Sequence, residues 1–334
     1  MKNQIKSRFF YNDSAVIGLS MILYMFLING LTLLFSAAVP FLSNTVFPSL
    51  NLDLQIASRC AEIAGYVCAF LFTIIFMSKG SPGFVGLSHP APPYAALTLP
   101  VFFVSFLLLN YFNVIIKTLF NKIGIYGVDR AQAAPRDGVP LVLFVLMFVI
   151  FPAVLEEVLF RGILLSRLRK LGDGFAVVLS SVIFALMHHD LVSMPGVFLF
   201  GLLFGYATIL SNSLIPAIAM HFLNNSIAVL FLWLERHGVS GTVEILAVAL
   251  LFFGITSLAG ICIYAGLLAH QNKRPRKVRT VSPAIQGPGK AFAAAFSSGW
   301  MIAFIIIAVY ITFALEFIPR AAEQLFAFLG VRPK

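Results

Sequence analysis

Long apolar runs separated by short polar stretches dominate the chain. A membrane-spanning α-helix needs about 20 consecutive apolar residues, and most of the runs reach or approach that length. The runs cover residues 15–38, 60–77, 95–116, 141–165, 175–189, 195–210, 214–234, 243–270 and 293–317. In lipid the backbone polar groups must be satisfied within the segment, which favours helices. The pattern therefore predicts an all-α polytopic membrane protein with about eight to nine transmembrane helices.

The runs in the middle of the chain are shorter, and polar residues interrupt them. Such helices are typical of a functional core in which helices pack against one another instead of facing lipid. We therefore predict three parts: three N-terminal transmembrane helices and their loops in residues 1–140, a helical core in residues 141–234, and C-terminal helices with a basic cytoplasmic linker in residues 235–334. The linker spans residues 272–289 and contains prolines and a Gly-Pro-Gly sequence.

Composition and charge support the membrane class and bear on orientation. The 334 residues are 60% hydrophobic and 11% charged, which excludes an ordinary soluble domain. The net charge is +10, but the bases cluster at the ends of the apolar runs, so the expected partner is anionic lipid headgroups and not nucleic acid. The distribution of Lys and Arg, carried mainly by residues 273–279, predicts a cytoplasmic N-terminus, although the bases within 117–136 fall on the opposite side. The cysteines form no CxxC pair and predict no disulfide framework.

The first apolar run is too long to be the core of a cleaved signal peptide, which has about 7 to 15 residues. We therefore expect a retained first helix that follows a polar, basic segment at residues 1–13.

Two acids and an arginine lie inside the fourth apolar run. An ionisable group at membrane depth costs a few kcal/mol and normally faces a protein interior or a cavity. At 100° per residue, Glu157 and Arg161 share a helix face, with the acid N-terminal to the base as an ion pair prefers. Glu156 points about 100° away. We predict that Arg161 holds Glu157 and that Glu156 is free for chemistry. The alternative is that the three form a buried ion cluster that only fixes helix packing.

Two further polar groups interrupt the core: His188 at the end of the fifth run, and His221 with Asn225 four residues apart on one helix face. If Gly172 marks a turn, Glu156 and His188 both lie roughly 24 Å along antiparallel helices from it. His221 lies roughly 13 Å beyond the next turn. We therefore expect these groups at comparable depth toward the inner leaflet. A lone intramembrane histidine is more often a packing residue, but the whole set is typical of a functional site.

The set suits amide hydrolysis by an activated water. Glu156 with His188 can hold a water and accept its proton, while N–H donors on His221 and Asn225 suit the oxyanion of a tetrahedral intermediate. No Ser or Cys stands in a nucleophile elbow, and the HExxH signature of metalloproteases is absent. Zinc bound by Glu156, His188 and His221 is an alternative, because two His and one carboxylate form a known catalytic set. We favour the reaction without a cofactor slightly over the zinc version.

The polar residues form three ordered motifs, Glu156-Glu157-xxx-Arg161, Phe184-xxx-His188 and His221-xxx-Asn225. These resemble the motifs of the CAAX-processing and bacteriocin-processing (CPBP or Abi) intramembrane protease family. The resemblance covers residues 141–234, less than a third of the chain. It implies an endopeptidase inside the membrane that acts at the cytoplasmic side, on a segment near a helix end or a lipidated C-terminus.

The resemblance also implies roles for the matched residues. Glu156 matches the general base, His188 its water-holding partner, and His221 and Asn225 the oxyanion stabilisers. The remaining motif positions, Glu157 and Arg161, match supporting residues. The expected architecture is then a polar catalytic cavity between helices four to seven.

The resemblance implies a peptide or membrane-protein substrate and a place in the bacterial inner (cell) membrane. Two alternatives use the same polar residues. One is a non-catalytic membrane protein that confers bacteriocin immunity or binds a partner. The other is a proton-coupled transporter, against which the sequence shows no repeated halves.

Overall fold

The computed structural model describes residues 2–46, 53–79, 85–90, 92–126, 135, 138–270 and 287–328. All regular secondary structure in these residues is helical. The helices are α1 (Lys2–Phe41), α2 (Leu54–Ser78), α3 (Pro92–Lys122), α4 (Gly138–Leu171), α5 (Asp173–Leu186), α6 (Met194–Ser211), α7 (Ile215–Arg236), α8 (Ser240–His270), α9 (Pro288–Ala295) and α10 (Gly299–Phe328).

Eight of the helices in the described ranges are long and apolar enough to cross a membrane, and α5 is a shorter apolar helix. The prediction of eight to nine transmembrane helices is therefore confirmed. Large hydrophobic side chains such as Leu33, Tyr111 and Ile245 lie exposed on the outside of the bundle, where lipid solvates them. The protein is an all-α integral membrane protein.

Helix α4 is not a regular α-helix along its whole length. It is π-helical at Leu146–Ile150 and again at Pro152–Leu164, where backbone N–H groups reach five residues back, as in the bond from Leu165 N–H to the Phe160 carbonyl. Pro152 has no N–H to donate to a regular ladder, and π-turns occur frequently at functional sites. The uniform period of 100° per residue assumed from the sequence is wrong over this segment.

The ends of the chain also differ from the sequence-based boundaries. Helix α1 begins at Lys2, well before residue 15. The apolar run 293–317 is not one helix, because α9 ends at Ala295 and α10 starts at Gly299. The hydroxyl of Ser14 bridges this break, since it donates to the Ala295 carbonyl over 2.6 Å and accepts from the Ser298 N–H over 3.4 Å.

Residues 272–286 of the predicted linker, with its bases at 273–279, lie outside the described residues, so the orientation that they predict stays a prediction. The predicted end of the linker at residue 289 is wrong, because α9 begins at Pro288.

The predicted turns that bracket the core are present. Gly172, with φ 125°, ends α4, and Asn212, in the left-handed region with φ 52°, ends α6. Helix α5 therefore runs back along α4, and α7 runs back along α6. This reversal brings the polar positions of helices α4 to α7 toward one another.

Close backbone contacts fix the N-terminal helices. Helix α1 packs against α2 and α10. A Cβ placed on Gly65 of α2 would lie 2.8 Å from backbone atoms of Thr32, and one on Gly18 would lie 2.3 Å from the backbone nitrogen of Met301. Small residues permit such close approach between membrane helices. As a result α2, which lies against the core of the molecule, is held tightly on α1.

Candidate active site

A buried ion pair lies at the centre of the site. Arg161 is 1% exposed and Glu157 is fully buried, and Nη1 of the guanidinium donates to Oε1 of Glu157 over 2.8 Å. Nη2 donates to the Gly201 carbonyl over 3.4 Å. The predicted pairing of Glu157 with Arg161 is thus present. Removing either partner would leave an uncompensated charge in the interior.

Aromatic rings enclose the guanidinium. Its Cζ atom lies 4.3 Å from the ring centre of Phe184 and 5.4 Å from that of Phe204, which are distances of cation–π contact. The Phe184 ring also lies edge-on to His188 at 4.8 Å and to His221 at 6.2 Å. Phe184 therefore connects side chains from α4, α7 and the turn after α5 in one cluster.

His221 lies between the two acids. Its Nδ1 is 2.8 Å from Oε1 of Glu157, and its Nε2 is 3.9 Å from Oε2 of Glu156, which is beyond direct hydrogen bonding. Phe204 stacks on the imidazole at 5.3 Å. The bond to Glu157 fixes the ring and points Nε2 toward Glu156. The side chains of both acids therefore lie near His221, although a regular α-helix would direct them about 100° apart. Glu157 holds His221 as well as Arg161.

Glu156 is mostly buried, with 15% of its side chain exposed. Its Oε1 accepts a hydrogen bond from the hydroxyl of Tyr66 over 3.2 Å. Its Oε2 has no hydrogen-bond partner among the residues that the structure describes. The sequence gives no signal that Tyr66 belongs to the site, because nothing in the local pattern of α2 distinguishes this ring from other packing residues. Helix α2 thus joins α4 to α7 around the site.

His188 contacts the cluster through Phe184, whereas among the contacts of the described residues none joins Asn225 to the cluster. Helix α5 ends at Leu186, so His188 stands in the following turn, where its Nδ1 is 2.9 Å from the Phe184 carbonyl. Asn225 follows His221 by one turn of α7 and is partly buried, and its Oδ1 accepts from the Asn224 amide over 3.2 Å. The structure therefore gathers Glu156, Glu157, Arg161 and His221, with His188 against the shared Phe184 ring.

Two polar residues next to His188 have contacts outside the cluster. His189, in the left-handed region with φ 49°, places Nδ1 3.4 Å from the Thr312 hydroxyl of α10. Asp190 accepts from the backbone N–H groups of Val192 and Ser193, at the start of α6. Both contacts fix the turn between α5 and α6 and thereby the position of His188.

The ligand set suggested for zinc consists of Glu156, His188 and His221. Over the described part of the chain, no three His, Cys, Asp or Glu side chains form a group that would hold a metal ion. Nδ1 of each histidine lies against a protein oxygen, at 2.9 Å for His188 and 2.8 Å for His221. The residues as arranged do not form a metal site, and the preference for a reaction without metal over the zinc alternative stays a prediction.

The fold and this cluster define the class: a polytopic helical membrane protein with an ionisable site enclosed at membrane depth. Residues 138–227 match the family model described as type II CAAX prenyl endopeptidase Rce1-like. The chain is also similar to the membrane-embedded CAAX protease MroQ of Staphylococcus aureus (strain USA300), with 24% identity over 157 residues. The resemblance to the CPBP family predicted from the three motifs is confirmed by these matches.

The two matches cover only part of the molecule. The similarity to the staphylococcal protein spans 44% of this chain and 63% of that protein. No solved structure matches the chain. Helices α1 to α3 lie outside the segment that matches the family model, and so does Tyr66.

Proposed function

We propose that the protein is an intramembrane endopeptidase that hydrolyses a peptide bond with a water activated by Glu156. The observation that carries the proposal is the environment of this carboxylate. It is buried at membrane depth, fixed through Oε1 by Tyr66, and has Oε2 directed toward Nε2 of His221. A positioned, largely buried carboxylate is suited to accept a proton from water. The family match over residues 138–227 supports protease chemistry.

The reaction requires one proton transfer in each direction. Glu156 accepts a proton from the water while the water oxygen attacks the carbonyl carbon, and the carbonyl oxygen becomes an oxyanion. When the tetrahedral intermediate collapses, the C–N bond breaks and Glu156 returns the proton to the leaving amine. We assign His188 to holding the water and the side chains of His221 and Asn225 to stabilising the oxyanion.

The contact between Glu157 and His221 supports the oxyanion role. The carboxylate beside Nδ1 keeps the imidazole in orientation, as an acid does for the histidine of a hydrolase triad, and Nε2 then lies on the side of Glu156. Arg161 in turn stabilises Glu157 over 2.8 Å. The ion pair thus acts through His221 and not on the substrate.

Substrate class and location are also part of the proposal. A peptide or membrane-protein substrate, with its cleavage site near the cytoplasmic end of a helix, suits a site buried among transmembrane helices. MroQ is named a membrane-embedded CAAX protease, and a similar setting in a bacterial cell membrane is proposed for this chain. Its basic segments suit anionic lipid headgroups as further partners.

The test compares wild type with Glu156→Gln in lipid nanodiscs, using a pool of membrane-inserted peptides and mass spectrometry of the products. The substitution keeps the shape and removes the base, so we expect kcat to fall by about 10²-fold or more. Glu62→Gln is the matched control, because the salt bridge of Glu62 is to the exposed Arg59 and not to a residue of the site. Undiminished cleavage by Glu156→Gln would refute the proposal. If the wild-type protein binds the peptides but does not cleave them, the non-catalytic alternative is favoured.

The same preparation separates the reaction without metal from the zinc version. We propose that no metal takes part, so cleavage by wild type should be unchanged after dialysis against a chelator. Loss of activity that returns with added zinc, together with zinc in the purified protein, would establish the alternative set of Glu156, His188 and His221.

A further inference from the structure

Tyr66 contributes to the candidate site from outside the segment that resembles the family. It lies on α2, is 7% exposed, and donates its hydroxyl to Oε1 of Glu156 over 3.2 Å. The two residues are 90 positions apart in the chain. A buried tyrosine normally finds a partner for its hydroxyl, and here that partner is the carboxylate assigned to accept the proton from water.

The surroundings of Tyr66 leave its ring little freedom. The centre of the Tyr66 ring lies 4.7 Å from that of Phe70, and the Tyr24 ring of α1 lies edge-on to the same Phe70 ring at 4.8 Å. Next to Tyr66, Gly65 allows α2 to meet the backbone of α1 at Thr32. Because both the ring and its helix are fixed by packing, the hydroxyl reaches Glu156 from a set direction.

The bond makes the two oxygens of Glu156 unequal. Rotation about the last side-chain bond of a glutamate is broad, so an unheld carboxylate would exchange its oxygens. With Oε1 bound to Tyr66, Oε2 stays on the side of His221, at 3.9 Å from Nε2. Oε2 is also the oxygen that has no partner among the described residues. The geometry therefore separates an anchored oxygen from one available to a water.

We infer that Tyr66 is a positioning residue for the general base: its hydroxyl anchors Oε1 of Glu156 so that Oε2 receives the proton of the attacking water. The inference rests on the proposed function. It assigns a part of the catalytic machinery to the N-terminal helices, which the family match does not cover.

Tyr66→Phe tests the inference, since it removes the hydroxyl and keeps the ring against Phe70. We expect kcat to fall about tenfold with KM nearly unchanged, because the lost bond is to a charged group that acts in the chemical step.

Tyr206→Phe is the control, because it removes a tyrosine hydroxyl from a ring of α6 that is 37% exposed. It should change kcat less than about twofold and leave KM unchanged. Thermal unfolding of each variant in detergent separates a loss of folding from a loss of chemistry. An active wild type with an unaltered kcat in Tyr66→Phe overturns the inference alone, as do equal effects of the two variants. A wild type without peptidase activity overturns the proposed function and the inference together.

Discussion

Arg161 is the largest of the fully buried side chains, and its surroundings explain how a charge is kept at membrane depth. The guanidinium has a carboxylate at 2.8 Å, a backbone carbonyl at 3.4 Å and aromatic rings on its faces. Each of these contacts replaces hydration that the residue would have in water. The pairing with Glu157 follows from the i, i+4 spacing and could be predicted from the sequence.

Other contacts of the site could not be predicted in this way. The bond between Tyr66 and Glu156 joins helices that are distant in the chain, and a tyrosine in an apolar helix is usual. His221 approaches both acids from another helix, and these acids lie in a π-helical part of α4 for which composition gives no signal beyond Pro152. The sequence identifies which residues are costly to bury, whereas their mutual geometry depends on tertiary packing.

Replacing Arg161 by methionine should destabilise the protein by about 3–5 kcal/mol, because Glu157 would remain buried without its counter-ion. The measurement is unfolding by heat or denaturant in detergent micelles. Arg59→Met is the control: Arg59 also pairs with a nearby glutamate on its own helix, but its side chain is 66% exposed, so its loss should cost about 0–1 kcal/mol. Similar losses of unfolding free energy in the two variants would show that burial does not increase the contribution of the ion pair to stability.

At the scale of helices, the apolar runs located the membrane-spanning elements because burial in lipid requires continuous hydrophobicity. They did not locate the break between α9 and α10. At the break, the Ser297 hydroxyl donates to the Ala294 carbonyl over 2.9 Å, and the Ser298 hydroxyl accepts from the Trp300 N–H over 3.1 Å. Serine at a helix end is a local capping signal, whereas the contacts of Ser14 with Ala295 and Ser298 depend on tertiary packing and could not be predicted from the sequence.

The contact between α1 and α2 makes a specific prediction for Gly65. A methyl group there would lie 2.8 Å from the backbone of Thr32, and backbone atoms cannot rotate away. Gly65→Ala should therefore cost about 1–3 kcal/mol of stability and should also reduce the proposed peptidase activity, because α2 carries Tyr66.

The matched control for this change is Gly30→Ala on α1, where a Cβ would meet no atom within 4 Å. That variant should be neutral or up to about 1 kcal/mol more stable, since alanine favours helix. Both effects are measured by thermal unfolding in detergent. If Gly65→Ala is as stable as Gly30→Ala, the close packing of α1 on α2 does not limit the size of the residue at position 65.

At the scale of the whole molecule, Arg167 connects three helices at the end where α4 meets the turn at Gly172. Its guanidinium donates to the Met77 and Lys79 carbonyls at the C-terminus of α2 and to Asp13 of α1 over 2.7 Å. Asp13 also pairs with Lys170. This charged layer lies at the side of the bundle that the distribution of Lys and Arg predicts to be cytoplasmic.

The orientation itself is tested by labelling single cysteines with a membrane-impermeant maleimide in intact cells. Lys79 follows α2 and Lys122 ends α3, and both side chains are exposed. With Cys60, Cys68 and Cys262 replaced by alanine, Lys122→Cys should react from outside and Lys79→Cys only after the cells are opened. The reverse pattern would place the N-terminus outside and move the site toward the other leaflet.

The contact of α1 with α10 has a consequence for how the protein is made. Gly18 meets the backbone at Met301, and Ser14 bonds to both sides of the break before Gly299. Helix α1 therefore finds part of its packing partner only after the distant helix α10 has been synthesised. Because α1 supports α2 and α2 carries Tyr66, the contact of Tyr66 with Glu156 should reach its final geometry only once α10 has been inserted.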